Sequence, residues 1–185
     1  MTNKTTLMVG VILGTILITG FSINDASAAV FAKYDGVDGE SKDTTHPTWI
    51  DILNVEWGVH KQSSEESTTK RQGQVIVEDI RLTMEFEKST VKLLEKMNLG
   101  EVIPKLEIEQ TATYGGERVV YIKYELKNVM VTSFDVNASG NDESPPSVTI
   151  ANNFEEYKVT YTEYDDEGGN QGNTETKFPV GKRGR

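Results

Sequence analysis

Cysteine is absent from the 185-residue chain, which excludes a disulfide framework, a thiolate metal site and a cysteine nucleophile. Histidine is scarce. His46 and His60 are the only two, and they lack the close spacing of an H-E-x-x-H zinc helix. No serine occupies the G-x-S-x-G turn of a hydrolase. Positive charge is also short, with 19 Lys and Arg against 29 Asp and Glu and a net charge of −10. That balance argues against nucleic-acid partners, which demand clustered cations to displace counterions from phosphates, and against docking on anionic lipid. The one cationic run is Lys182-Arg183-Gly184-Arg185.

Long apolar runs are confined to one place. After Lys4, residues 7–21 are apolar, and the small-residue stretch Ala26-Ser27-Ala28-Ala29 follows. This three-part order is that of a secretory signal peptide with an A-x-A cleavage site, so residues 1–28 are expected to be removed on export. Fifteen apolar residues are short for a membrane span, and no membrane association is expected after cleavage. Lys4 and Asp25 cancel, so the mature chain keeps the charge of −10.

Beyond the leader the pattern is that of short strands. Residues 30–34 and 49–59 are β-prone, and residues 36–48 between them are rich in Gly, Asp, Ser and Thr, as loops are. Ile80, Leu82, Met84 and Phe86 alternate with Arg81, Thr83, Glu85 and Glu87, the period of two of a strand with one face on a core. A helix is predicted over residues 89–99, with Ser89 as N-cap, Val91, Leu94 and Met97 as its apolar stripe and Gly100 as its stop. Strands are then expected over 105–113, 118–126, 129–137, 147–150 and 154–164, with turns at Gly115-Gly116 and Lys127-Asn128. Residues 165–185 carry almost no apolar side chain and read as a disordered polar tail. The fold class expected is mostly β: a small antiparallel barrel at residues 29–164 with one flanking helix.

The ordered set Tyr34-Asp35-Gly36-Val37-Asp38-Gly39-Glu40-Ser41-Lys42-Asp43, Thr45-His46, Ile50-Asp51-Ile52-Leu53 and Trp57-Gly58-Val59 resembles the opening of the Hcp (haemolysin-coregulated protein) family of type VI secretion. The likeness continues through Val77-Glu78-Asp79-Ile80, Lys88-Ser89-Thr90, Ile103-Pro104, Val129-Met130-Val131-Thr132-Ser133 and residues 154–161. It implies a barrel whose copies close six to a ring, with rings stacking into a hollow tube that carries effectors within a contractile sheath. Members of the secretion machine normally lack a cleavable leader, and this chain departs from them there.

Four sets of residues follow as candidates. The family-motif loop contributes Gly39, Glu40, Ser41, Asp43 and His46. The apolar-free excursion at residues 61–73, with Ser63, Ser64, Glu65, Glu66, Ser67, Lys70 and Arg71, is expected to project from a rim and touch the adjoining ring. Asn137-Ala138-Ser139 is an N-glycosylation sequon. The acidic loop Asp35, Asp38, Glu40 and Asp43 departs from EF-hand spacing, so no metal and no cofactor are expected. The function expected is that of a secreted, non-catalytic ring subunit, a homo-oligomer (a hexamer on the resemblance) with small proteins as lumen cargo. The other reading is a monomeric exported barrel that binds a partner at the cell envelope. N-terminal sequencing of the exported form should return Ala29; a mature chain that keeps residues 7–21 overturns the leader.

Overall fold

The computed structural model describes residues 28–61, 75–140 and 144–180. Ten strands and one helix occur among them, in chain order β1 (Val30–Tyr34), β2 (Ile50–Glu56), β3 (Val59–Lys61), β4 (Val75–Val77), β5 (Ile80–Glu85), α1 (Lys88–Leu99), β6 (Ile103–Tyr114), β7 (Glu117–Asn137), β8 (Ser147–Asn153), β9 (Glu156–Tyr164) and β10 (Asn170–Pro179). The main sheet runs β10-β9-β7-β6-β1-β2-β5-β8, and β8 also pairs with β7. That second pairing closes six strands, β7-β6-β1-β2-β5-β8, into an antiparallel barrel, which removes the free edges those strands would otherwise present. β3 and β4 form a separate hairpin. The excursion expected at residues 61–73 falls outside the described residues, apart from Lys61.

The expected alternation is met where the barrel is regular. Ile80, Leu82 and Met84 of β5 are fully buried and face Ile50, Leu106, Ile108, Leu126 and Ile150 in one core cluster. Tyr34 is buried with them. Its hydroxyl donates to Asn152 Oδ1 at 3.0 Å, and Asn152 Nδ2 donates to the Ile80 and Ile150 carbonyls at 3.3 and 3.2 Å, so this polar pair is satisfied inside the core. Burial pushes the phenol well above its ordinary pKa.

β7 differs from expectation. Instead of turning at Lys127-Asn128, the backbone continues as one strand of 21 residues with Asn128 in the left-handed region at φ 51°. That residue shifts the alternation by one: Leu126, then Val129 and Val131, all point into the core. The strand thereby serves two sheets, pairing with β9 over residues 122–127 and with β8 over residues 130–137.

The tail also departs from expectation. Residues 170–179 are not disordered but form β10, in register with β9 from Asn170↔Tyr164 to Pro179↔Glu156. Its own side chains are exposed throughout, so the strand is held by the backbone ladder and by cross-strand pairs, which its composition does not reveal. Residues 181–185 lie outside the described residues.

The helix begins one residue earlier than predicted, with Glu87 as the extended N-cap residue (φ −142°) and no side-chain cap bond. Ser89 instead donates its hydroxyl to the Glu87 carboxylate. The buried stripe is Ser89, Thr90 and Leu93, with Met97 packed alongside, whereas Val91 faces solvent. Gly100 ends the helix as expected at φ 66°, its N–H and that of Glu101 closing on the Met97 and Lys96 carbonyls. Truncating buried Leu106 to Ala should lower unfolding stability by about 2–5 kcal/mol, while Leu99→Ala, at a 65 % exposed position, should change it by less than about 0.5 kcal/mol, both read by chemical denaturation.

Candidate assembly surfaces

The motif loop folds back on β1. Gly39 N–H donates to the Thr48 carbonyl and Ser41 N–H to the Trp49 carbonyl, each at 2.9 Å. A Cβ on Gly39 would stand 2.2 Å from the Trp49 carbonyl oxygen, so the contact admits glycine alone. Thr48 sits at φ 64°, a strained conformation for a β-branched residue, held by these bonds and by the Lys33 ammonium on its carbonyl at 3.1 Å. Glu40 reaches the helix, where it accepts from Lys88 N–H at 3.3 Å while its own N–H donates to Glu87 at 2.9 Å.

Asp43 is the loop's hub. Its carboxylate accepts from Thr45 N–H (2.9 Å), the Thr45 hydroxyl (2.7 Å) and His46 N–H (3.0 Å), and pairs with the Arg118 guanidinium of β7. Burial opposes the Asp43 charge, but the bonds from Arg118, Thr45 and His46 outweigh it and hold the carboxyl well below the usual range. Ser41 accepts from Asp43 N–H at 3.3 Å. His46 is 3 % exposed and stacks on Phe31 at 4.1 Å, with Trp49 edge-on at 4.9 Å and Nε2 lying 2.8 Å from Glu109 Oε2 of β6. Arg118 lies 5.5 Å from the Phe31 ring centre. All these groups bond one another, and what they accomplish is to clamp the loop across β1, β6 and β7. Sequence reasoning found Asp43 and His46 but missed Arg118 and Glu109, whose bonds to the loop span 75 and 63 positions of the chain.

The clamp adjoins a sheet with two unlike faces, formed by β10, β9, the first half of β7 and β6. On one face, lysines and glutamates pair across all four strands: Lys105–Glu107 (2.8 Å), Lys123–Glu107 and Lys123–Glu109 (2.9 Å each), Lys127–Glu156 (2.9 Å), Lys158–Glu175 (3.0 Å) and Lys177–Glu156 (3.2 Å). The lysines depress Glu107, against burial, and Glu156, while Glu175 and Glu125 raise Lys158. The same-parity charges at 105, 107 and 109, then 123, 125 and 127, were a legible sign of this ladder.

The opposite face is apolar. The registers Leu126↔Tyr157↔Phe178 and Ile122↔Tyr161 put these side chains on one side, running out of the barrel core from Leu106 and Leu126. Trp57 covers part of it, meeting Tyr157 at 4.9 Å and Tyr124 at 6.1 Å. Tyr161 and Phe178 remain 46 % and 41 % exposed. Beside them β10 has no strand on its outer edge among the described residues. Gly115, in the β6–β7 turn at φ 57°, lets this sheet close at its tip: a Cβ there would stand 2.0 Å from the Glu167 carbonyl oxygen. Asn137, at the end of β7, is exposed beside Leu53 and Pro145. Residues 63–71 lie outside the described residues.

Residues 31–161 match the family profile described as "Type VI secretion system effector, Hcp". The chain belongs to the Hcp family. Among curated relatives, Protein hcp1 of Pseudomonas aeruginosa is 32 % identical over 147 residues, covering 77 % of this chain and 88 % of that one. A solved "type six secretion system protein" superposes with TM-score 0.77 at 26 % identity, covering 83 % of this chain and 96 % of the other. Hcp1 from Salmonella typhimurium shares the fold, with TM-score 0.67 at 22 % identity over 82 % of this chain and 94 % of that one. The Hcp match begins at Phe31 and includes the clamp residues Asp43, His46, Glu109 and Arg118.

The Asp43 clamp predicts an acid-dependent contribution. A carboxyl held below its unfolded value adds stability that is complete above about pH 4 and is lost as pH falls toward the folded value. Asp43→Asn should therefore lower stability by about 2–3 kcal/mol at pH 7, with the gap to the parent narrowing below about pH 4 in denaturation series; a gap independent of pH overturns this account.

Proposed function

We propose that this Hcp-family chain is an exported structural subunit whose copies close head to tail into rings, six to a ring, and that the rings stack into a hollow tube with room for small protein cargo. The observation that carries the reading is the apolar sheet face running out of the barrel core beside the edge of β10, which is unpaired among the described residues. A water-exposed extension of a core, next to an open strand edge, is a surface that another chain stabilises by covering it. In the six-strand circuit β7, which bears this face, is three strands from β2 in either direction, so the two lie on opposite sides of the barrel. A ring needs two different patches facing away from each other, since every subunit must give one and receive the other.

The remaining parts fit around this core. Residues 1–28 act as the export leader, and the exported chain is secreted. No described helix is long and apolar enough to cross a membrane. Residues 63–71, carried by the β3–β4 hairpin, make the contact between rings. The role is structural and not catalytic, which agrees with a motif whose polar groups are spent on one another. Asn137 stands where a glycan would project into solvent.

Each subunit brings a charge of −10, so ring formation should strengthen as salt screens the repulsion. Light scattering and negative-stain imaging should find rings at moderate ionic strength and smaller species at low salt. Tyr161→Glu with Phe178→Glu should abolish rings while circular dichroism stays unchanged, and removal of residues 63–71 should leave rings that no longer stack. A parent chain that stays monomeric at high concentration and moderate salt overturns the reading.

A further inference from the structure

On the far side of the barrel from the apolar sheet lies a groove of about 470 Å³ between β2 and the start of α1. Its apolar wall is Leu53, Phe86 and Pro145, with Leu53 62 % and Phe86 40 % exposed. Carboxylates from Glu40, Asp51, Glu85 and Glu87 line the same groove, against the single cation Lys42. Burial, and then the neighbouring Glu40 and Asp51 charges, push the Glu87 carboxyl up, against the bonds from the Ser89 hydroxyl and the Glu40 amide. An apolar wall set among carboxylates suits side chains that are aliphatic along the stem and cationic at the tip.

The chain contains one such segment. Lys182, Arg183 and Arg185 form the only cationic run in an acidic protein, and they follow Val180, whose N–H donates to the Glu155 carbonyl at 2.7 Å. Glu155 lies just past the Asn153 end of β8, whereas the groove continues beside Ser147 at the other end. Six residues of β8 separate these ends by about 20 Å, with a further ~10 Å across the sheet to β2. Five residues of backbone reach about 17 Å against a span of about 22 Å, so within one molecule only the Arg185 tip nears the groove and the run does not lie in it.

We infer that the groove of Leu53, Phe86 and Pro145 receives the cationic segment Lys182–Arg185 of a second copy of this chain. The inference rests on the head-to-tail reading above: β10 delivers the segment on one side of the barrel, and the groove opens on the other. Arginine stems lie along Leu53 and Phe86, and the guanidinium groups meet Asp51 and Glu85 at the rim. The contact sets opposite charges together in a ring whose subunits otherwise repel.

The chain has no cysteine of its own, so a pair placed in the whole protein reports this contact directly. Leu53→Cys with Arg183→Cys should give, under mild oxidation, a ladder of covalent multimers on a non-reducing gel, absent from either single variant. Ring mass by light scattering is measured on the same sample. Rings without a ladder overturn the inference and leave the ring reading standing. A fast-migrating cross-linked monomer shows that the segment occupies its own groove and overturns it as well. Monomers throughout sink both readings. In a second arm, Lys182→Glu, Arg183→Glu and Arg185→Glu together should weaken association by about tenfold or more at moderate ionic strength, where the parent forms rings. Adding Asp51→Lys and Glu85→Lys should restore it; failure of that restoration also counts against the contact.

Discussion

A single strand, β7, holds the molecule together because it is paired on both sides along two different stretches. Its second half closes the barrel against β8, and its first half leaves the barrel and carries β9 and β10 with it. The junction is one residue in the left-handed region, Asn128, without which Leu126 and Val129 could not both be buried. Asparagine tolerates that conformation better than most side chains. The barrel and the projecting sheet are therefore one continuous hydrogen-bonded surface, and the core flows into the exposed apolar face with no break between them.

The division of charge over that sheet makes the two faces unequal in a useful way. On the ladder face each lysine and glutamate is answered by a neighbour, and such exposed pairs contribute little stability individually. Their effect is to keep that face content in water. The aromatic face has no such compensation. The clamp of Asp43, His46, Glu109 and Arg118 lies beside the ladder and ties the motif loop to the same strands, so the loop, the sheet and the barrel wall are positioned together.

The barrel was legible wherever burial alone set the pattern, as in β5, where Ile80, Leu82 and Met84 alternate with charged or polar neighbours and are all buried. Phe86 continued the alternation in the sequence yet lies outside the strand, because the chain there turns toward α1. The Lys127-Asn128 turn was misread since a phase shift within a strand and a hairpin both place two apolar runs around a polar pair. β10 was invisible for a different reason: residues such as Asn173, Thr174 and Glu175 have no core to face, and what makes them a strand is β9 alone. The motif loop was found by its resemblance, but its chemistry was not, for Arg118 is 75 residues from Asp43 and Glu109 is 63 from His46.

The placement of β1 bears on how the chain acquires its shape. β1 is the first strand among the described residues, yet its neighbours are β2 and the distant β6, with Val30 opposite Gln110, eighty positions later. Pairings so far apart in sequence are slow to form, because the intervening chain must first be gathered. β1 thus meets β2 early and waits on its other side for β6. A barrel built in this order holds one side of β1 open until β6 has arrived, and closes only when β7 meets β8.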